Sequence, residues 1–416
     1  MTVKFGEMSA FDKASLVCVA LLPIASLAGN AAADLALVLN VVVFLATSGG
    51  EIKAYPRSWF LRLSFVFWAW ILICSALSAF PSHSFQDSLP WIRFPLYAFA
   101  LSHLLGKRDG SFLNYFIMFA MIGTLIEFTF MLREYIFFRG DNARLYGTFG
   151  KLIAGWYLDC FSLITVLWSF EQLSNATMSI KRRLLLGTFV IITIYAIGIT
   201  GEIMSTVFFL GVLLLYFAIR KSYSAKHLVI LCVGGISLIV TGLAISFIDP
   251  VLQERLIRSA TTRLPWMATS DYNLPWKSGL TMAMENPLFG VGPKNFNPYC
   301  LSLKNSGTLE TLLKVSECQW HPHNLFIQIM AEAGIVGILL FAVLVAYVLI
   351  KAYRHSILVL WSNNTPLVLA VVLFFPIQSY SHGFGQSKNF YFWTTLGYIL
   401  YRIRREIEQR VSDVSL

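Results

Sequence analysis

Apolar residues run through this chain in long stretches that approach the length of a membrane span. A transmembrane helix needs about 20 mostly apolar residues, and polar residues are gathered between twelve such stretches. The stretch 89–105 contains Pro90, Arg93 and Pro95, so we expect a broken or re-entrant segment there. The pattern predicts an all-α polytopic membrane protein with about 12 transmembrane helices. The stretches are 14–30, 33–49, 59–80, 89–105, 111–131, 152–169, 184–200, 203–219, 228–248, 334–350, 366–382 and 389–401.

The composition excludes a water-soluble chain. Of the 416 residues, 57% are hydrophobic and only 13% are charged, whereas a soluble domain has about 25% charged residues. The formal charge of +10 would suggest nucleic acid in a soluble protein. In a membrane protein the basic residues report orientation first. We therefore expect membrane lipids, and no nucleic acid, around this chain.

The short connections between the apolar stretches predict the orientation. Cytoplasmic loops of membrane proteins carry an excess of Lys and Arg. With a cytoplasmic N-terminus, the short outer turns near Gly29 and Gly201 contain neither residue, whereas inner connections contain Lys107 and Arg108. The pattern predicts that both termini are cytoplasmic and that the long connection 249–323 faces outwards.

The long outer connection is expected to fold. Structureless loops of this length are uncommon in compact proteins, and residues 252–262 and 277–285 read as helical. Cys300 and Cys318 both lie here, where they could form a disulfide in an oxidising compartment or remain two free thiols. We divide the chain into nine transmembrane helices over 1–248, the long outer loop over 249–333, and three transmembrane helices with a cytoplasmic tail over 334–416.

The strongest local motif is H-P-H-N at residues 321–324, followed by E-A-G-I-V-G at 332–337. His321 and His323 could bind a metal, or one could act as a general base beside its neighbour. Alternatively, the histidines and Asn324 could simply cap a helix at the wet interface. A metal site needs further ligands at suitable spacing, and the acids of the loop are scattered. We therefore expect no metal ion and no cofactor.

Arginines form a second motif, R-G-D-N-A-R-L-Y-G-T-F-G at residues 139–150. The guanidinium groups of Arg139 and Arg144 suit phosphate oxygens, although a solvated turn between two spans is an equal alternative. In the long loop, Arg258 and Arg263 lie either side of the helix end expected near Thr262. Basic and acidic residues balance over this loop, so particular arginines, and no broad basic patch, are candidates.

Glycines define a third motif, P-L-F-G-V-G-P-K-N-F at residues 287–296. It lacks the spacing and context of a dinucleotide-binding or P-loop motif, and nucleotide donors are not expected on the outer face. The aromatic residues nearby could stack on sugar rings or simply mark the membrane interface. They are Trp266, Trp276, Tyr299 and Trp320.

Two acidic residues, Glu127 and Asp159, fall inside predicted spans. A charge at the centre of a span costs about 2.5–3.5 kcal/mol on insertion scales. Each could face a polar cavity or pair with another span, and the sequence assigns neither a specific role.

The three motifs, in this order, resemble those of the O-antigen ligase and polymerase superfamily. The H-x-H-N…E-x-G-x-x-G pattern, the R-x-x-G-T-F-G stretch and the P-L-x-G-x-G-x-x-x-F element resemble the family's signatures over about residues 131–350. One departure concerns an S-R-G element found in many members. The corresponding residues 200–205 read T-G-E-I-M-S, so no phosphate-binding role carries over to them.

The resemblance implies a membrane-embedded glycosyltransferase of the C type, in the inner membrane of a Gram-negative bacterium. The loop 249–333 and the active site would then face the periplasm. The donor would be a glycan on undecaprenyl pyrophosphate, and the acceptor would be the lipid A-core in a ligase or another lipid-linked glycan in a polymerase. The outer location agrees, since chemistry there needs an already activated donor. We favour the O-antigen ligase.

The resemblance also implies a mechanism. His323, which directly precedes Asn324, would be the general base of a metal-independent, inverting displacement, supported by His321, Asn324 and Glu332. The pyrophosphate would be held by Arg144 and by one or both of Arg258 and Arg263, with Arg139 and Lys294 as further candidates.

A secondary transporter is the competing class, because twelve spans with both ends inside is a common transporter plan. The chain shows no repeat of its two halves, and the long loop with its His and Arg motifs favours the transferase.

Overall fold

The computed structural model describes residues 8–47, 58–137, 145–148, 154–175, 177–200, 203–219, 273–313, 318, 320–358, 364–374, 384 and 386–414. Within these ranges every regular element is helical. The helices are α1 Ala10–Leu27, α2 Asn30–Thr47, α3 Trp59–Leu77, α4 Pro81–Ser88, α5 Arg93–Leu104, α6 Lys107–Phe137, α7 Ala154–Tyr157, α8 Leu163–Leu173, α9 Ile180–Ile199, α10 Ile203–Ile219, α11 Asn273–Glu285, α12 Phe296–Asn305, α13 Leu309–Leu313, α14 Leu325–Leu358, α15 Thr365–Leu373 and α16 Gln386–Val414.

Six of the described helices are long and apolar enough to cross a membrane, namely α1, α2, α3, α6, α9 and α14. The residues 208–219 of α10 form a shorter apolar helix. This all-helical architecture is that of a polytopic membrane protein, as the sequence predicts. The stretch 228–248 and residues 375–383 lie outside the described residues, so the count of twelve spans remains a prediction.

The stretch 89–105 is broken, as expected from its prolines. Pro90–Ile92 forms a single 3-10 turn between α4 and α5, because proline lacks the N–H that a continuous helix would use. Helix α5 is largely buried and packs against α16. Arg93 at its start pairs with Asp34 of α2, with N and O 3.1 Å apart, and this pair brings the starts of α2 and α5 together.

Basic side chains join several helices at the opposite end of the bundle. Arg108, where α6 begins, pairs with Asp12 of α1 at 2.7 Å, and Lys107 donates to Thr47 at the end of α2 at 2.8 Å. Arg405 of α16 donates to the backbone oxygen of Asp109 at 2.8 Å. The early part of α1 and the later part of α16 therefore share one end of the bundle, in agreement with the predicted arrangement of the termini.

The described part of the long loop has a small core of its own. Met282 of α11, Val291, Phe296 and Cys300 pack together with Ala331 of α14. Helix α11 contains the predicted helical stretch 277–285, which is thereby confirmed, whereas 252–262 lies outside the described residues. Cys300 and Cys318 form a disulfide. Of the two alternatives left open by the sequence, the structure therefore has the bridge.

This disulfide leads to a prediction about thiol content. The chain has six cysteines, so the denatured, unreduced protein should yield four reactive thiols. Because the bridged residues are 18 apart in sequence, closing this loop should contribute about 3 kcal/mol to stability in the chain-entropy model. Thiol titration in denaturant, with and without reductant, measures the count. Six thiols without reductant would show that the bridge does not form.

Candidate functional site

The H-P-H-N motif immediately precedes helix α14. Asn324 caps this helix, because its side-chain oxygen accepts hydrogen bonds from the backbone N–H groups of Phe326 and Ile327, at 3.0 and 3.1 Å. A β-carbon on Gly279 of α11 would lie 2.5 Å from the Ile327 side chain and 3.4 Å from Pro322. Helix α11 therefore approaches closely, and the cap and this contact fix the backbone on both sides of His323.

The two histidines of the motif are in contact. His321 Nε2 and His323 Nδ1 lie 3.2 Å apart, and both side chains are partly exposed. His323 has φ +52°, a left-handed conformation that is uncommon for a residue other than glycine. Such backbone strain clusters at functional sites. The contact uses Nδ1 of His323, so the other ring nitrogen, Nε2, faces away from His321.

The P-L-F-G-V-G-P-K-N-F segment, residues 287–296, is here called the glycine loop. Its backbone pairs with that of α14 through three hydrogen bonds. Val291 N–H donates to Ala331 O at 2.8 Å, Gly292 N–H to Glu332 O at 3.0 Å, and Ile335 N–H to Pro287 O at 2.8 Å. Two motifs identified separately in the sequence, the glycine loop and E-A-G-I-V-G, are therefore interlocked in the structure.

Glycine is required where these two backbones touch. Gly334 has φ +69° and ψ −171°, a region open essentially to glycine alone, and a β-carbon there would lie 2.1 Å from Leu288 O. A β-carbon on Gly290 would lie 2.4 Å from the carbonyl carbon of Glu332. The break at Gly334 leaves Ala333 O as an acceptor for the indole N–H of Trp70 in α3, at 2.9 Å.

Glu332 is buried and fully engaged by hydrogen bonds. Its carboxylate accepts from Phe296 N–H at 3.2 Å and from Gln328 Nε2 at 3.1 Å, and the Lys294 N–H is a further donor. Buried charges are tolerated when hydrogen bonds of this kind compensate for lost hydration. Glu332 thus holds the end of the glycine loop on α14, and it lies two helical turns from the histidines.

Lys294 is the one predicted cationic donor-binding residue that the structure describes. It is partly exposed and has φ +66°. Arg139, Arg144, Arg258 and Arg263 lie outside the described residues, so their predicted contacts stay predictions.

The residues that follow Arg144 are held by carboxylates, a feature that sequence reasoning missed. Tyr146 and Gly147 N–H donate to one oxygen of Glu134 at 2.8 and 3.0 Å. Thr148 N–H donates to Glu127 at 3.2 Å, and its hydroxyl also donates to that carboxylate. These acids are seven residues apart, on one face of α6. Glu127, a costly charge within a predicted span, therefore fixes the backbone of the second motif.

Asp159 links the segment between α7 and α8 to helix α10. It lies in the π-helical turn Leu158–Ser162 and accepts a hydrogen bond from the Ser205 hydroxyl at 2.9 Å. Ser205 belongs to the T-G-E-I-M-S stretch, and the preceding Thr200 O accepts from Leu145 N–H at 3.1 Å. π-Helical turns are frequent at functional sites. Residues 200–205, which lack the arginine of the S-R-G element, therefore still contact the second motif through Thr200.

Helix α4, which was not singled out in the sequence, contacts the glycine loop. Its His83 Nδ1 lies 3.0 Å from Asn295 Oδ1, and its Ser84 hydroxyl donates to Pro293 O at 2.8 Å. The only sequence signal was a run of polar residues after the C-terminal end of α3, which is common in connections between spans.

The described residues contain no group of three or more His, Cys, Asp or Glu side chains suited to a metal ion. Among the aromatic candidates, Tyr299 accepts a hydrogen bond from Asn286 at 3.4 Å. Trp276 has a buried indole N–H without an acceptor in the described part of the chain. Trp320 is largely exposed, and Trp266 lies outside the described residues.

Comparison with known protein families agrees with these motifs. Residues 188–342 match the model of the family described as O-antigen ligase. The matched range contains the later part of α9, all of α10, the glycine loop, the H-P-H-N motif and the first part of α14. No curated protein matches the chain.

Proposed function

The family match at residues 188–342 supports the O-antigen ligase superfamily, and from this premise we propose that the protein is a glycosyltransferase of the periplasmic face of the inner membrane. It transfers a polysaccharide from undecaprenyl pyrophosphate to the lipid A-core. The observation that carries the proposal is the placement of the histidine pair. The two histidines directly precede the apolar helix α14, whose backbone is hydrogen-bonded to the glycine loop. A candidate base therefore lies on a rigid support. It lies at the end of the bundle opposite to the contacts made by Lys107, Arg108 and Arg405.

The histidine contact suggests which ring is the base. If His323 Nδ1–H donates to His321 Nε2, then His323 Nε2 carries a lone pair that can accept a proton from an acceptor hydroxyl. In this arrangement His321 Nε2 accepts the hydrogen bond, so His321 is suited to orient the ring of His323. In the reverse assignment His321 would be the base. Its proton-accepting atom would then be Nδ1, the ring nitrogen next to its own backbone. We therefore assign His323 as base and His321 as its support.

The reaction is a single displacement. The acceptor oxygen forms a bond to the anomeric carbon, while the bond from that carbon to the pyrophosphate oxygen breaks and the pyrophosphate lipid leaves with the electron pair. The hydroxyl proton passes to His323 Nε2. One displacement inverts the anomeric centre, and the paired carboxylates of a retaining glycosidase are not needed.

Charge on the leaving pyrophosphate is stabilised by cationic side chains, which act most strongly where charge develops. Arg144 is the leading candidate, because the four residues after it are held by Glu127, Glu134 and Thr200. Arg258, Arg263, Arg139 and Lys294 are the further candidates. Arginine forks can neutralise this charge without a divalent metal.

A polymerase would use the same donor and the same base, and differs in the acceptor. The family match is common to both functions, and the ligase is the one we propose.

The decisive experiment is a transfer assay with the purified full-length protein. Lipid-linked glycan is supplied with either lipid A-core or a second lipid-linked glycan, in the presence of a strong chelator. We expect product on lipid A-core, with undiminished rate in the chelator. Product only on the second lipid-linked glycan would identify a polymerase, and loss of activity that Mg²⁺ or Mn²⁺ restores would contradict the metal-independent mechanism.

A further inference from the structure

The side chain of Asn295 in the glycine loop has a fixed orientation. Its Nδ2 donates to Val291 O at 3.1 Å, and the residue is buried. Oδ1 is therefore the atom that faces His83, at 3.0 Å. A side-chain oxygen of this kind can only accept a hydrogen bond.

This orientation fixes the proton on His83. Since Asn295 Oδ1 accepts, His83 Nδ1 must carry the hydrogen, and in the neutral ring Nε2 is then an acceptor. His83 is partly exposed. Its Nε2 makes no hydrogen bond within the described part of the chain and is not among the buried polar atoms. The ring thus presents an acceptor nitrogen of defined tautomer to the surroundings.

A second acceptor lies one helical turn away. Asp87 follows His83 by four residues, which places both side chains on one face of α4. It is also partly exposed, and among the described residues it has no hydrogen-bond partner. Two neighbouring acceptors match the donor hydroxyls of a sugar. The carboxylate of Asp87 would repel a phosphate, so the pattern suits neutral hydroxyl groups and not the pyrophosphate.

Helix α4 is anchored firmly enough to hold such a ligand. The Ser84 hydroxyl donates to Pro293 O at 2.8 Å, and its oxygen lies 2.9 Å from Ser75 Oγ. Ser75 in turn donates to Ser88 at 2.7 Å. A β-carbon on Gly292 would lie 2.4 Å from the Ser78 side chain. Helix α4 is therefore tied to the glycine loop, which is tied to α14 and its histidines.

We infer that His83 and Asp87 form a glycan subsite on α4 that binds sugar hydroxyls of one of the two substrates. This inference rests on the proposed function, because it supposes that a saccharide lies across the glycine loop during transfer. The saccharide can come from the donor glycan or from the acceptor core, and both sources offer the same hydroxyl chemistry.

Four variants separate ligand contact from structural support. Gln places a polar group near the position of Nε2, whereas Asn places an N–H near the position of Nδ1. The set is His83→Ala, His83→Gln, His83→Asn and Asp87→Asn, with the exposed Gln86→Ala on the same helix as matched control. The KM is measured for donor and acceptor separately.

We expect His83→Ala and Asp87→Asn to raise the KM of one substrate about three- to tenfold, the range for a lost hydrogen bond. The kcat should change by less than about twofold, as for a purely binding interaction. His83→Gln should keep most of the affinity, His83→Asn should not, and Gln86→Ala should match the wild type. The substrate whose KM rises identifies the source of the saccharide. Rescue by Asn and not by Gln, or unchanged KM values, would overturn the subsite.

A binding arm keeps this test separate from the fate of the proposed function. Ligand-observed NMR follows the wild-type protein and the same variants with a soluble core oligosaccharide and a soluble O-antigen oligosaccharide. We expect one oligosaccharide to bind the wild type and to bind His83→Ala more weakly. Oligosaccharide binding that His83→Ala weakens, without any transfer activity, would refute the proposed function and support the subsite. Transfer activity with equal binding by the wild type and His83→Ala would support the proposed function and refute the subsite.

Discussion

Replacement of His323 by Ala should reduce the transfer rate about 10²–10⁴-fold, the contribution typical of a positioned general base. The protein should remain folded, because His323 is partly exposed and its backbone is held by the Asn324 cap. Asn at position 323 should be equally inactive, and it tolerates the left-handed backbone, which removes strain as an explanation. The single-turnover rate with lipid-linked glycan and lipid A-core measures the effect.

Two further variants test the division of roles. His321→Ala should be milder than His323→Ala, because His321 orients the base. Arg144→Ala should weaken donor binding as well as the rate, since the arginine acts on the bound pyrophosphate. A well-folded His323→Ala protein with near-normal transfer would refute the mechanism. An inactive His321→Ala beside an active His323→Ala would exchange the two roles.

Gly334→Ala should be among the most destabilising single substitutions in the described part of the chain. The backbone conformation there costs about 1–3 kcal/mol for a residue with a β-carbon. The added carbon would also lie 2.1 Å from Leu288 O, so the paired backbones must separate. We expect a clearly lower thermal unfolding midpoint in detergent, together with loss of transfer.

Gly187→Ala is the matched control for this substitution. Gly187 lies within α9, where an added β-carbon meets nothing within 4 Å. Alanine is favoured over glycine inside a helix by about 1 kcal/mol, so the midpoint should stay the same or rise. Equal midpoints for Gly334→Ala and wild type would show that the interlocked backbones contribute little to stability.

The membrane helices could be predicted because their signal is local. Apolar stretches of sufficient length identify α1, α2, α3, α6, α9 and α14, and the prolines of 89–105 identify the break before α5. The signal for helix ends is weaker. Helix α14 begins at Leu325, nine residues before the predicted start, because Asn324 caps it and Gly334 interrupts it without ending it.

The site was predictable as a set of motifs but not as an arrangement. Nothing in the sequence indicates that His83 meets Asn295, 212 residues later, because such pairing depends on how the helices pack. The same holds for Glu127, whose carboxylate accepts a hydrogen bond from the backbone N–H of Thr148, 21 residues away. A carboxylate that accepts hydrogen bonds from backbone N–H groups needs no basic side chain as partner. A search of the sequence for opposite charges therefore does not find it.

The bridge between Cys300 and Cys318 also depends on how the chain was inserted into the membrane. Disulfides form and persist in oxidising compartments and are rare in the cytosol, so a chain that inserted with this loop facing inwards would keep both thiols reduced. The oxidation state of these two residues would thus report the outcome of insertion for each molecule. In the proposed orientation, the loop would therefore become fully folded only after it had crossed the bilayer and met an oxidant.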